Sequence, residues 1–229
     1  MTTHYDHLNE ITNFREVCMG NISRGLLYRG SYPIQSGEHE RNKSYNKLAI
    51  DAKISCVLNM ADNESGLEKL AAWVPWYREL LNQDKVIALN IRFGANFDFS
   101  KKRLNEELKS KIKLGMQFLI RHDGPYLIHC HAGIDRTGFL AAILGALLGA
   151  STDEIVYDYL LAYGKKYAEN NYAKYNERQI ILDQLSAVTN GVIDEQCLQS
   201  NIEKYFLEDI GLSTDEFKLL KVKLTEKEE

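Results

Sequence analysis

The scarcities of this chain narrow the field first. Proline occurs three times in 229 residues, too seldom for a proline-rich linker, and no low-complexity tract or internal repeat is visible. The four cysteines, Cys18, Cys56, Cys130 and Cys197, are far apart and irregularly spaced. That is neither a disulfide framework nor a pair of zinc knuckles. The longest apolar run, residues 138–150, falls short of the roughly twenty residues a membrane helix needs and reads as a buried helix. Strong charge of one sign is also missing. A formal net charge of -4 with 26% charged residues offers none of the positive field that nucleic acid or anionic membrane favours. The histidines (His4, His7, His39, His122, His129 and His131) show no ligand spacing paired with acids, so neither a metal nor a cofactor is implied. Residues 1–10 are polar and hold no apolar signal segment, which predicts a cytoplasmic protein. A secreted chain whose signal had been removed would read the same way.

What is present is enough hydrophobic sequence, 45%, to bury a core, and the length suits a single domain over 1–229. Short apolar, partly β-branched pieces at 25–29, 54–59, 86–91 and 126–129 read as strands. Residues 105–121 carry Leu108, Ile112, Met116, Leu119 and Ile120 on one helical face. A second, wholly apolar helix covers 138–148. The alternation predicts an α/β fold, a central mostly parallel sheet flanked by helices, over 1–150. After Ala150 strand signals vanish. Ser151 with Glu154, and Ser213 with Glu216, form capping boxes that open helices. Residues 165–189 and 194–208 also read as helical, which makes 151–229 an all-helical layer on the same core.

The chemistry concentrates in residues 130–136. A strand ends at His129 and a helix begins near Arg136 or Thr137, so Cys130, His131, Ala132, Gly133, Ile134, Asp135 and Arg136 must reverse the chain between them. Such a loop at a helix N-terminus points backbone N–H groups inward, and the helix dipole adds positive potential. A phosphate dianion fits that nest. Gly133 supplies backbone freedom, and Arg136 offers a planar fork for two phosphate oxygens. The same field favours a thiolate at a cysteine placed there, so Cys130 is expected to attack phosphorus in line and form a phosphocysteine. Thr137 can donate its hydroxyl to the sulfur, and His129 can orient the loop. Cys56, on a strand, reads as packing rather than as a redox partner for Cys130.

His129, Cys130, five residues, Arg136, Thr137 and Gly138 together resemble the signature of the cysteine-dependent protein tyrosine and dual-specificity phosphatases. Asn13-Phe14-Arg15, residues 25–31, and residues 205–220 with Gly211-Leu212-Ser213 resemble the bacterial tyrosine phosphatases that also act on phosphoinositides. The resemblance implies a tyrosine-phosphatase-like fold and a substrate phosphate bound by residues 131–137. One position departs from it. That subfamily usually has a lysine where this chain has Ile134, which shifts the expected substrate from lipid headgroups toward phosphotyrosine.

The leaving oxygen needs a proton, and two aspartates compete to supply it. Asp135 lies inside the loop, as in the myotubularin-type and Sac-type lipid phosphatases. Asp98 follows the third strand, where many tyrosine phosphatases hold a mobile acid loop; Asp62 is a third candidate. Asp135 can instead cap the loop amides. Lys101-Lys102-Arg103 reads as a solvated helix start. The tyrosines at 157, 159, 163, 167, 172 and 175 read as a coat on partly buried helices, with a lid over the site as the sharper alternative. The expected activity is hydrolysis of phosphate monoesters, phosphotyrosine foremost, then phosphoserine, phosphothreonine or phosphoinositides. The alternatives are a phosphatase of soluble inositol phosphates and an inactive phosphate-binding module. The expected partner is a phosphorylated protein or a small phosphorylated molecule, with no nucleic acid and no stable membrane insertion.

Overall fold

The computed structural model describes residues 11–92, 106–164, 168 and 175–226. Five strands form one sheet: β1 (Arg15–Glu16), β2 (Leu27–Gly30), β3 (Cys56–Asn59), β4 (Val86–Ala88) and β5 (Tyr126–His129), in the order β1-β2-β5-β3-β4. Only β1, paired to β2, runs antiparallel; β2, β5, β3 and β4 are parallel. Every residue of β3 and β5 is buried, as expected for central strands covered on both faces. Successive side chains alternate between two cores. Cys56, Leu58, Tyr126 and Ile128 enter one, while Val57 and Leu127 enter the other.

The second core lies under α1 (His39–Asp51), α2 (Glu64–Trp73) and α3 (Pro75–Asn82), through Tyr45, Leu48, Leu67, Leu70 and Tyr77. The first core is built with α4 (Glu106–Arg121), α5 (Asp135–Leu147), α6 (Thr152–Leu161), α7 (Tyr175–Val188), α8 (Leu198–Lys204) and α9 (Thr214–Thr225). The fold is thus the expected α/β sandwich, and the helices after Ala150 close over its larger core.

Several boundaries move. The strand expected at 86–91 ends at Ala88 because Asn90 takes a positive φ of 43°, which breaks the extended run. The helix expected over 194–208 begins at Leu198 and passes at Tyr205–Asp209 into a π turn. Of the helix expected over 165–189, the described residues Ala168 and Tyr175–Val188 are helical. Both capping boxes form with both reciprocal bonds. The helices α1, α2 and α3 have no counterpart in the sequence expectations. Among the described residues no helix is long and apolar enough to cross a membrane.

This topology sets the site. The parallel strands end together at Gly30, Asn59, Ala88 and His129, and open α/β sheets bind ligands at that edge. The turn from β5 into α5 lies at its middle, because β5 is the third of the five strands.

Candidate active site

Residues 130–134 leave β5 and reverse the chain, and α5 starts at Asp135, one residue earlier than the sequence suggests. Gly133 makes the reversal possible. Its φ is +72°, and a Cβ there would fall 2.5 Å from the carbonyl oxygen of Gly30. Any other residue would push the loop off β2.

The orientation of each peptide in the loop can be read from where its carbonyl goes. His129 Nδ1 reaches the Cys130 oxygen at 3.4 Å. The Tyr32 N–H donates to the His131 oxygen at 2.8 Å. Asn13 Nδ2 donates to the Ala132 and Gly133 oxygens at 3.0 and 3.2 Å. Arg29 Nη2 donates to the Gly133 and Ile134 oxygens at 2.8 and 3.4 Å. Five consecutive carbonyls therefore face outward, onto the neighbouring His129 ring, onto donors of Tyr32, Asn13 and Arg29, and for Ile134 also onto the Gly138 N–H of α5 at 2.7 Å. In a trans peptide the next N–H points the opposite way, so the N–H groups of residues 131–135 turn inward. That of Gly133 lies 3.3 Å from Cys130 Sγ; those of His131, Ala132, Ile134 and Asp135 have no partner among the described residues. A concave array of free N–H groups at a helix N-terminus is an anion nest.

Arg136 sits across this nest. Its Nη1 donates to the carbonyls of Ile91 at 3.0 Å and Met60 at 3.3 Å. Those oxygens follow β4 and β3, so the sheet edge aims the guanidinium while its remaining N–H groups stay free among the described residues.

A directional chain of bonds fixes His129, which is fully enclosed. A carbonyl can only accept, so Nδ1 carries the hydrogen toward Cys130 and Nε2 accepts from the Tyr77 hydroxyl at 3.1 Å. The Tyr77 oxygen in turn accepts from Asn59 Nδ2 at 3.0 Å. Asp62 ends the chain, its Oδ2 accepting from Asn59 Nδ2 and from the Tyr32 hydroxyl, both at 2.8 Å. Burial pushes the His129 imidazole down to about 4, so the ring is neutral at pH 7. Asp62, the third candidate acid, is committed to this network.

The outer brace is a buried ion cluster. Arg15 and Arg29 stand opposite each other in the β1–β2 ladder, where like charges repel. The buried carboxylate of Asp158, on α6, lies against both: it pairs with Arg29 Nη1, and Arg15 Nε approaches it at 3.4 Å. Burial alone would raise the Asp158 carboxyl, but the two guanidiniums outweigh it and hold it below the usual range. Burial and the neighbouring Arg29 push the Arg15 guanidinium down to about 9, which leaves it charged at neutral pH. Arg15 Nη1 donates to Asn13 Oδ1 and so steers the amide that grips the loop.

The sequence candidates separate clearly. Cys130, Gly133, Asp135 and Arg136 come together, with His131 and Ala132 exposed at the rim. His131 lies against Tyr32, ring centroids 5.2 Å apart, and Ile134 packs toward the larger core. The capping alternative for Asp135 is corrected: the helix cap is Ile134, without a side-chain cap bond, and Asp135 Oδ1 accepts from the Tyr159 hydroxyl at 3.0 Å. The Thr137 hydroxyl is buried and has no hydrogen-bond partner among the described residues. Cys56 pairs in register with Tyr126, four residues before Cys130 and hence about 13 Å away along the strand. That is beyond the reach of a disulfide, and burial pushes its thiol up to about 12. Asp98, Lys101-Lys102-Arg103 and the tyrosines at 167 and 172 lie outside the described residues. No cluster of His, Cys, Asp and Glu suited to a metal ion occurs among the described residues.

Asn13, Arg15, Arg29, Tyr32, Asn59, Tyr77 and Asp158 had no assigned role from sequence. A faint signal existed for two of them: Arg29 interrupts an apolar strand, and Asp158 lies between Ile155, Val156, Tyr159 and Leu160.

No curated protein matches the chain. Among the solved structures that resemble it, two are of Siw14, each 18% identical with a TM-score of 0.43. The core catalytic domain of the PP-IP phosphatase Siw14 from S. cerevisiae, in complex with citrate, covers 79% of this chain and 94% of its own. A second structure of the Siw14 catalytic core covers 79% and 93%. The tyrosine phosphatase family model matches residues 93–226, more than half of the sequence and the whole of the loop. The chain belongs to the tyrosine phosphatase family, whose chemistry is cysteine-based hydrolysis of phosphoesters.

Proposed function

We propose that this protein hydrolyses phosphate monoesters, phosphotyrosine foremost, through a phosphocysteine on Cys130, and that it belongs to the bacterial branch that also acts on phosphoinositides. The observation that carries the reading is the row of five outward carbonyls, which turns five N–H groups toward the Cys130 side beside Arg136. Those N–H groups and the Arg136 fork hold the non-bridging oxygens and neutralise charge that builds as the phosphoryl group transfers. The Cys130 thiolate attacks phosphorus; the ester P–O bond breaks, and the leaving oxygen takes the proton of Asp135. Water then attacks the phosphocysteine, gives a proton back to Asp135, and releases phosphate and the thiolate.

The rim supports an aromatic ester. His131 and Tyr32 form an aromatic wall, and Ile134 adds no charge for a second phosphate. Asn13 and Arg29, residues of the bacterial resemblance, bond the loop directly, and Arg15 reaches it through Asn13, which supports that branch.

The test is a panel of phosphotyrosine, phosphoserine and phosphothreonine peptides, phosphoinositides and soluble inositol phosphates, assayed with wild type and Cys130→Ser. Turnover is expected on phosphotyrosine and none with Cys130→Ser; activity surviving in that variant sinks the mechanism. Preference for inositol phosphates keeps the mechanism and replaces the substrate class. Asp135→Asn and Asp98→Asn, run on phenyl phosphate and on an activated aryl phosphate, identify the acid. The true one slows only the poor leaving group.

A further inference from the structure

Asp135 is exposed, and an exposed carboxyl turns easily about its last torsion. Among the described residues one hydrogen bond restrains it. The Tyr159 hydroxyl donates to Oδ1 at 3.0 Å, and Tyr159 itself is only 1% exposed. Its ring is seated on the helix that carries Asp135: a Cβ added to Gly138, one turn on, would lie 2.6 Å from Tyr159 Cδ2. A larger residue at 138 would lift the ring and its hydroxyl away. Asp158, the preceding residue, is fastened to Arg29 and Arg15. Two adjacent residues of α6 thus reach the loop from outside, Asp158 through Arg29 and Tyr159 through Asp135. Burial, the neighbouring Tyr163 and the Asp135 carboxyl all raise the Tyr159 hydroxyl above its usual range, which keeps it a donor at any working pH.

We propose that Tyr159 is a positioning residue for the proton donor: its hydroxyl occupies Oδ1 of Asp135 and leaves Oδ2 to carry the proton to the leaving oxygen. This rests on the reading of Asp135 as the general acid. General acid catalysis contributes about 10²–10⁴ in rate where the leaving group is poor and little where it is good. Misalignment forfeits part of that factor and touches nothing else.

The experiment compares Tyr159→Phe, Asp135→Asn and the double variant on phenyl phosphate and on para-nitrophenyl phosphate, with kcat and KM resolved. Removing one hydroxyl keeps the ring against Gly138, and matching thermal midpoints check the fold. Tyr159→Phe is expected to lower kcat on phenyl phosphate roughly tenfold, to change it less than about twofold on the nitrophenyl ester, and to leave both KM values alone. In the Asp135→Asn background the second substitution should cost nothing further. Equal losses on both esters, no loss on either, or an undiminished tenfold effect in the double variant overturns the positioning role. If Asp135→Asn alone slows both esters equally, the acid reading fails and takes this inference with it.

Discussion

Acid should cost this protein folding stability through a buried histidine from about pH 6.5 downward. His129 is wholly enclosed between Tyr77, Tyr32 and the loop. Its two nitrogens are committed, one donating and one accepting, which only the neutral ring can do. Burial lowers its imidazole from 6.5 to about 4. Between those values the unfolded chain binds a proton that the folded chain refuses. The contribution is therefore fully present above pH 6.5 and is lost as the pH falls toward 4. A displacement of that size corresponds to about 3 kcal/mol in all, with about 2 kcal/mol already gone at pH 5. Urea unfolding of wild type and His129→Gln at pH 7.5, 6.5, 5 and 4.5 isolates the effect, because glutamine does not titrate and all other groups cancel in the difference. The stability gap between the two proteins should narrow by about 2 kcal/mol from pH 7.5 to pH 5. A gap that stays constant across the series would refute the placement of a neutral, bonded imidazole beneath Cys130.

Three further outcomes follow from the same geometry. Asp158→Asn strands two buried guanidiniums and should cost about 3–5 kcal/mol, or roughly 6–20 °C in the thermal midpoint for a chain of this size; a midpoint within two or so degrees of wild type would show that the cluster holds nothing. Gly133→Ala, forced into positive φ with its Cβ against the Gly30 carbonyl, should displace the loop and cut kcat/KM at least roughly tenfold while overall helix content by circular dichroism stays put; unchanged turnover would contradict the tight contact with β2. Arg136→Lys keeps the charge but loses the fork, so kcat/KM should fall by about 10–150-fold, the worth of one charged hydrogen bond, and a lysine variant of full activity would argue against two-oxygen recognition.

The legible part of the molecule was the part where physics acts locally. β5 and α5 are apolar nearly all round and could only be central; Ser151 and Ser213 close capping boxes with residues three positions on; and the cysteine, glycine and arginine of the loop stand at fixed intervals on one short turn. α1 was illegible because its buried positions are Arg41, Tyr45, Leu48 and Ala49 along an otherwise polar helix, so no apolar stripe announces it. The brace was illegible for another reason. Asn13 reaches Ala132 across 119 positions and Arg29 reaches Asp158 across 129, and no spacing rule links residues so far apart. What a reader could see was a charged residue in an apolar setting, at Arg29 and at Asp158, without knowing that each was the reason for the other.

The separation matters because the motif alone does not make a nest. A run of Cys130 to Arg136 holds the thiol, the fork and the peptide groups, but a flexible loop would scatter its N–H groups among loop, solvent and helix. Each inward N–H here is the other side of an outward carbonyl, and each outward carbonyl has a donor that the fold delivers: a ring from β5, a main-chain N–H after β2, an amide before β1, a guanidinium on β2. Removing the Asn13 amide therefore frees the Ala132 peptide to turn over, which withdraws the Gly133 N–H from the phosphate and presents an oxygen to it instead. Damage to the brace should thus appear in binding and turnover together, out of proportion to the single hydrogen bond deleted, even though none of the brace residues carries a reacting atom.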